Sequence, residues 1–160
     1  MKLSDFLKLA ACILASQAAG LFGALFTTTG PGSWYAGLAK PSFNPPGWVF
    51  GPVWTTLYIL MGISAWLVWK KGSLSTPPVR GALLLFTVQL ALNAAWSGLF
   101  FGLRSPLLGL IDIAALAAAI LATILAFRPI SPAAAWLLSP YLAWVSFAAI
   151  LNFSIWRLNP

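Results

Sequence analysis

Histidine and glutamate are absent from this 160-residue chain, and its only carboxylates are Asp5 and Asp112. A general acid and base would have to join a residue near the start of the chain to one far along it, which leaves acid–base hydrolysis almost without side chains. With Cys12 as the single cysteine, no disulfide can close within the chain, and no spacing of residues resembles a zinc or haem-ligand set. Neither a metal site nor a catalytic residue is expected. Charge is scarce too: 7% of residues are charged and 61% hydrophobic, against about 25% and 45–50% in soluble domains. A water-soluble globule is excluded, and the length suits one domain spanning residues 1–160.

The net charge is +7, yet the cations do not cluster as a nucleic-acid face requires. Lys2, Lys8, Lys40, Lys70, Lys71, Arg80, Arg104, Arg128 and Arg157 punctuate long apolar stretches, which is how charge falls in the loops of a membrane protein. Nucleic acid is therefore not an expected partner, and the membrane is. Five apolar runs approach the ~20 residues a helix needs to cross a bilayer: residues 9–26, 48–69, 81–101, 107–127 and 133–156. They are rich in Leu and Ala, lack strict alternation and are too long for barrel strands, so they predict helices.

The first run follows Lys2 and Lys8 and contains Ser16-Gln17-Ala18, a small-residue pattern like a signal cleavage site. Its apolar character continues to Phe26, longer than a signal core, so it is read as a retained span. Short connections near Arg104 and Arg128 predict antiparallel neighbours and an up-down bundle. Lys2, Lys8, Lys70, Lys71, Arg80 and Arg128 then share one end, against Lys40, Arg104 and Arg157 at the other, which favours a cytoplasmic N-terminus if the membrane is of bacterial inner type.

One connection is long. Residues 27–47 hold Pro31, Pro41, Pro45 and Pro46 with Trp34 and Tyr35, too much proline and aromatic character for disorder, and are read as a lid over one end of the bundle. Ser33 is expected to cap a brief helix through Lys40, and Asn44 before Pro45-Pro46 to start the second span.

The chain carries 9 Trp, 11 Phe and 3 Tyr. Trp48, Trp66, Trp69, Trp136 and Trp156 fall near span ends, where indoles settle at the headgroup level. Others recur at helical spacing inside the spans: Phe50, Trp54 and Tyr58 on the second, Asn93, Trp96, Ser97 and Phe100 on the third, Tyr141, Trp144 and Ala148 on the fifth. Close helix packing in lipid favours small residues. Inward rings on three spans would leave an apolar slot with a few placed polar groups, suited to a flat apolar ligand. Asp112, the one acid inside a span, is expected at the depth of Asn93 and to clamp the third and fourth helices by a hydrogen bond. Gly98 and Gly102 form a GxxxG pattern, a candidate seam for a homodimer.

Several strings carry a likeness to a known family: Lys40-Pro41-Ser42-Phe43-Asn44-Pro45-Pro46-Gly47-Trp48, Gly51-Pro52-Val53-Trp54-Thr55-Thr56-Leu57-Tyr58, Leu92-Asn93-Ala94-Ala95-Trp96-Ser97, Pro140-Tyr141-Leu142-Ala143-Trp144 and Leu151-Asn152-Phe153-Ser154-Ile155-Trp156-Arg157. In order and along the whole chain, the sequence resembles the TspO/MBR family of tryptophan-rich sensory and translocator proteins. The resemblance implies an all-α bundle of five transmembrane helices with a structured loop between the first two, often dimeric, in an inner or outer bacterial membrane. It implies porphyrin ligands such as protoporphyrin IX and haem, with no obligatory cofactor. Its pocket positions fall on Tyr35, Pro45, Phe50, Trp54, Tyr58, Asn93, Trp96, Ser97, Ile113, Trp144 and Ala148.

Two departures matter. The family's sterol consensus wants Tyr between Leu151 and Arg157, where this chain has Phe153, which weakens the expectation of a sterol or other lipid ligand. Phe43 stands where the family's loop string has Trp. The function implied is a porphyrin receptor or sensor linked to tetrapyrrole regulation or stress. A transporter of porphyrin or sterol is disfavoured by five spans without internal repeats or several buried charges. Light-driven porphyrin breakdown would need the protein only to confine its pigment.

Overall fold

The computed structural model describes residues 3–160. Lys2, counted with the first group of cations, lies outside them. The chain forms helices α1 (Leu3–Ala24), α2 (Gly47–Trp69), α3 (Pro77–Ser97), α4 (Pro106–Phe127), α5 (Pro132–Leu137) and α6 (Ser139–Leu158), and no strand is present among the described residues. Five stretches are long and apolar enough to cross a membrane, the third being α3 with the turn that follows it and the fifth α5 with α6.

Local chemistry sets the boundaries. Ser105 Oγ accepts from the Leu108 N–H at 3.2 Å and Ser131 Oγ from the Ala134 N–H at 3.3 Å, each with a proline next in the chain as the first helical residue. Ser105→Ala is expected to lower stability by about 1 kcal/mol in detergent unfolding, and an unchanged unfolding midpoint would remove that cap from the account.

Three boundaries differ from those read in the sequence. α1 is already helical at Leu3, well before residue 9. The third span ends in one wide π turn, Gly98–Gly102. The fifth breaks between Leu137 and Ser139 because Pro140 has no N–H to give the carbonyl four residues back, and Leu138 closes on Ala135 instead. The loop also departs from expectation. Ser33 Oγ accepts from the Ala36 N–H at 3.2 Å, but the turn it opens is a single 3₁₀ turn ending at Gly37, and α2 starts at Gly47 behind Pro46 with no cap from Asn44.

The spans alternate in direction, so Lys8, Lys70, Lys71, Arg80 and Arg128 gather at one end and Lys40, Arg104 and Arg157 at the lid end. At the first end the Lys8 ammonium lies 5.5 Å from the Trp69 ring and that of Lys70 5.0 Å from Trp66. Trp48 and Trp136 stand 77% and 75% exposed, whereas Trp66 and Trp69 pack partly against the core.

Close helix approach depends on missing side chains. A Cβ at Gly62 would stand 2.6 Å from Ile13 Cα, and one at Gly20 would enter the Tyr58 ring, so α1 and α2 meet backbone to backbone at Ile13 and Gly62 and backbone to ring at Gly20. Ser64 Oγ donates to the Ala134 carbonyl at 2.7 Å and ties α2 to α5. The tightly packed core, with Met61, Val68, Ile120, Phe127 and Leu138 fully buried, fills the half of the bundle away from the lid.

Candidate functional site

Toward the lid the interior opens into a cavity of about 590 Å³, within the range of small-molecule sites. Tyr35, Pro45, Phe50, Trp54, Tyr58, Asn93, Trp96, Ser97, Ile113, Trp144 and Ala148 all line it. The aromatic stripes of α2, α3 and α6 thus converge on one space, and the loop roofs it.

Ring geometry holds the walls. Trp54 stacks on Tyr58 at 5.5 Å between centroids and meets Tyr141 edge-on at 6.2 Å. Trp96 stacks on Phe100 at 5.0 Å and stands perpendicular to Phe101 at 5.8 Å. Trp144 meets Phe50 at 5.9 Å with planes 70° apart. Contacts of this kind fix ring planes without filling the centre.

Polar groups are few and placed. Tyr58 Oη donates to Asn93 Oδ1 at 2.6 Å, and Asn93 Nδ2 donates to Tyr141 Oη at 3.0 Å, so one amide joins α2, α3 and α6 beneath the cavity. Asn152 Nδ2 donates to the Pro106 carbonyl at 2.7 Å, while its Oδ1 accepts from Trp96 Nε1 at 3.2 Å. That amide holds the Trp96 plane and couples α6 to α3 and α4. Trp144, whose ring lines the cavity, keeps its Nε1 buried with no hydrogen-bond partner.

The roof is organised by Tyr35, whose ring meets Phe101 edge-on at 5.3 Å and whose hydroxyl donates to Asn44 Oδ1 at 3.4 Å. Burial pushes its phenol above the ordinary value, with the Asn44 bond opposing. The Lys40 ammonium lies 4.6 Å from that ring and donates to the Leu38 carbonyl at 3.1 Å. Asn44 therefore fastens the lid instead of opening α2.

The expected bond between Asn93 and Asp112 is not made. Asn93 is committed to two tyrosines, and Asp112 Oδ2 is buried without a partner. The reason lies in the register: Phe86 stacks on Phe127 and Gly109 packs on Phe100. The level of Asn93 is thus reached on α4 beyond Asp112, because the helix runs on through the π turn to Gly102 and the chain reverses only at residues 103–105. Gly98 and Gly102, the candidate dimer seam, lie against the Phe26 ring of the same chain. Phe43, where the sequence departs from the family's loop string, lies outside the cavity lining, edge-on to Phe147 at 6.3 Å. Among the described residues no group of His, Cys, Asp and Glu could hold a metal.

Among the wall residues that escaped the sequence reading, two sets stand out. α1 contributes Gln17, Gly20, Leu21 and Ala24, a helical stripe that could have been found by its spacing but is too ordinary in composition to stand out. Asn152, with Leu151 and Ile155, extends the α6 stripe by two further turns.

A family model described as the TspO/MBR family matches residues 12–157. The chain is 48% identical over 155 residues to the Tryptophan-rich protein TspO of Archaeoglobus fulgidus, covering 97% of this chain and 99% of the relative. It is 49% identical over 161 residues to the protein of the same name from Chlorobaculum tepidum, covering 98% of each. The Translocator protein of Homo sapiens is 50% identical over 126 residues, with 79% of this chain and 75% of that one covered.

Proposed function

Because this chain belongs to the TspO/MBR family and is an integral membrane protein of five spans, we propose that its lidded cavity is a receptor site for planar apolar ligands, with porphyrins such as protoporphyrin IX and haem as the class it takes. The observation that carries this reading is the convergence of Trp54, Trp96 and Trp144 from three helices on one cavity. Indole faces at several angles offer a flat ring system stacking and edge contacts at once. With no histidine in the chain, iron has no strong axial ligand, so metal-free porphyrin is expected to bind at least as well as haem. Lys40, with two donors engaged on loop carbonyls, keeps a third for a propionate at the rim.

Titration of the detergent-solubilised protein with protoporphyrin IX, followed by tryptophan fluorescence, tests the reading. Trp54→Ala with Trp144→Ala should weaken binding by about 5- to 30-fold, the loss of one to two ring contacts each worth roughly a kcal/mol beyond area. Quenching that keeps its midpoint in the double variant would remove the ligand from this cavity.

A further inference from the structure

We propose that the cavity is loaded sideways from the bilayer, through a slot between the last turns of α1 and the first turns of α2. This rests on the receptor reading above and adds the route to it.

Contacts on both sides of α1 create the slot. Lower in the bundle α1 is locked to α2, with Ile13 on Gly62, Gly20 under Tyr58, and Gln17 Nε2 donating to the Thr55 carbonyl at 3.2 Å. Beyond that bond α1 leans onto α3. Gly23 seats against Ser97, where a Cβ would stand 3.1 Å from Oγ, and the Phe26 ring covers Gly98 and Gly102. α2 does not follow. Nothing lies within 4 Å of the place a Cβ would take at Gly47 or Gly51. Leu21 and Ala24 on one edge and Gly47 and Gly51 on the other are exposed, yet all border the cavity.

Position along the helix decides what the slot faces. At 1.5 Å per residue Gly51 lies about 6 Å and Thr55 about 12 Å below the start of α2, inside a segment that crosses the membrane. The slot therefore runs from the rim down into the acyl region, and its edges are apolar. The water-facing end is fastened instead. Asn159 Oδ1 accepts from the Ala39 N–H and its Nδ2 donates to the Ala39 carbonyl, both at 3.0 Å, and the Trp34 and Tyr35 rings lie edge-on to Phe100. An apolar ligand concentrates in the bilayer and meets the slot there without unfastening the lid.

The test uses the full chain in phosphatidylcholine vesicles, with protoporphyrin IX supplied in the bilayer and quenching followed by stopped flow. Gly51→Leu narrows the mouth and should slow association and release together by about tenfold, while Leu21→Ala widens it and should speed both. Asn159→Ala loosens the lid and should leave both rates as in the parent. Faster loading in Asn159→Ala with no response to Gly51→Leu overturns the slot in favour of the lid, and normal equilibrium quenching would then leave the receptor reading standing. A Gly51→Leu effect on release alone also overturns it, since a gate slows both directions. Absent equilibrium quenching in the parent overturns the receptor reading and the slot's cargo with it.

Discussion

Asn93→Leu is expected to lower stability by about 2–4 kcal/mol, because it strands two buried phenols, each costing roughly 1–3 kcal/mol when left without a partner. The amide satisfies Tyr58 and Tyr141 at 2.6 and 3.0 Å, and both tyrosines are buried, Tyr141 completely. Leucine keeps the branching and heavy-atom count of asparagine, so no cavity forms and the loss reports chiefly the polar term. The network should therefore be strongly non-additive. Adding Tyr58→Phe and Tyr141→Phe to Asn93→Leu removes the stranded hydroxyls and should restore most of the loss, since replacing both partners of a buried hydrogen bond is nearly neutral. Thermal unfolding in dodecyl maltoside of the three single variants and the triple measures this. Additive losses would mean that the three groups do not act as one network.

Gly62→Leu should be at least as severe, with about 3 kcal/mol or more lost and little folded protein recovered. The nearest atom to a Cβ at this position is Ile13 Cα at 2.6 Å, followed by Ile13 N and Cγ1, both at 2.8 Å. Two of the three are backbone atoms and have no rotamer to yield. Relief requires α1 to move off α2, which also breaks the Gln17–Thr55 bond and withdraws Gly20 from Tyr58. Overpacking that side chains can absorb costs about 1–3 kcal/mol, and this cannot be absorbed. Gly109→Ala makes the informative contrast: its Cβ would meet Asn152 Oδ1 and Phe100 Cδ2 at 2.9 Å, both side-chain atoms. It should be milder in stability while disturbing the Trp96 contact through Asn152. Recovery of Gly62→Leu in parental yield, with an unchanged unfolding midpoint, would show that the α1–α2 approach is looser than the geometry requires.

Much of the cavity could be read before any coordinates because its residues announce themselves by type and period. Trp54, Trp96 and Trp144 are large rings at helical spacing with polar neighbours, and a side chain's direction on a helix follows from its position alone. The α1 wall was hidden by the same logic. Gln17, Gly20, Leu21 and Ala24 share a period with nothing conspicuous in it, and their role depends on where α1 lies, which no local pattern states. Asn152 was visible as a polar residue in an apolar span, but its partners on Pro106 and Trp96 come from two other helices.

The pairing of Asn93 failed for a related reason. Pairing residues by depth depends on where the hairpin reverses, and here the helix continues through the π turn to Gly102, so the reversal falls at residues 103–105 and every level along the hairpin shifts. Asp112 consequently stands without the partner expected for it, and Asn93 serves two tyrosines from other helices.

Composition and period alone determined that this chain is a membrane bundle of five spans, because a bilayer core accepts only apolar helices of about one length or closed barrels. They also placed Phe50, Trp54 and Tyr58, then Trp96 and Phe100, then Tyr141 and Trp144 on shared helical faces. What only the tertiary structure decided is how far apart the helices stand. That distance is set by close contacts at Gly20, Gly23 and Gly62 with Tyr58, Ser97 and Ile13, residues remote in the chain, and it alone separates a sealed interior from a cavity with a side entrance.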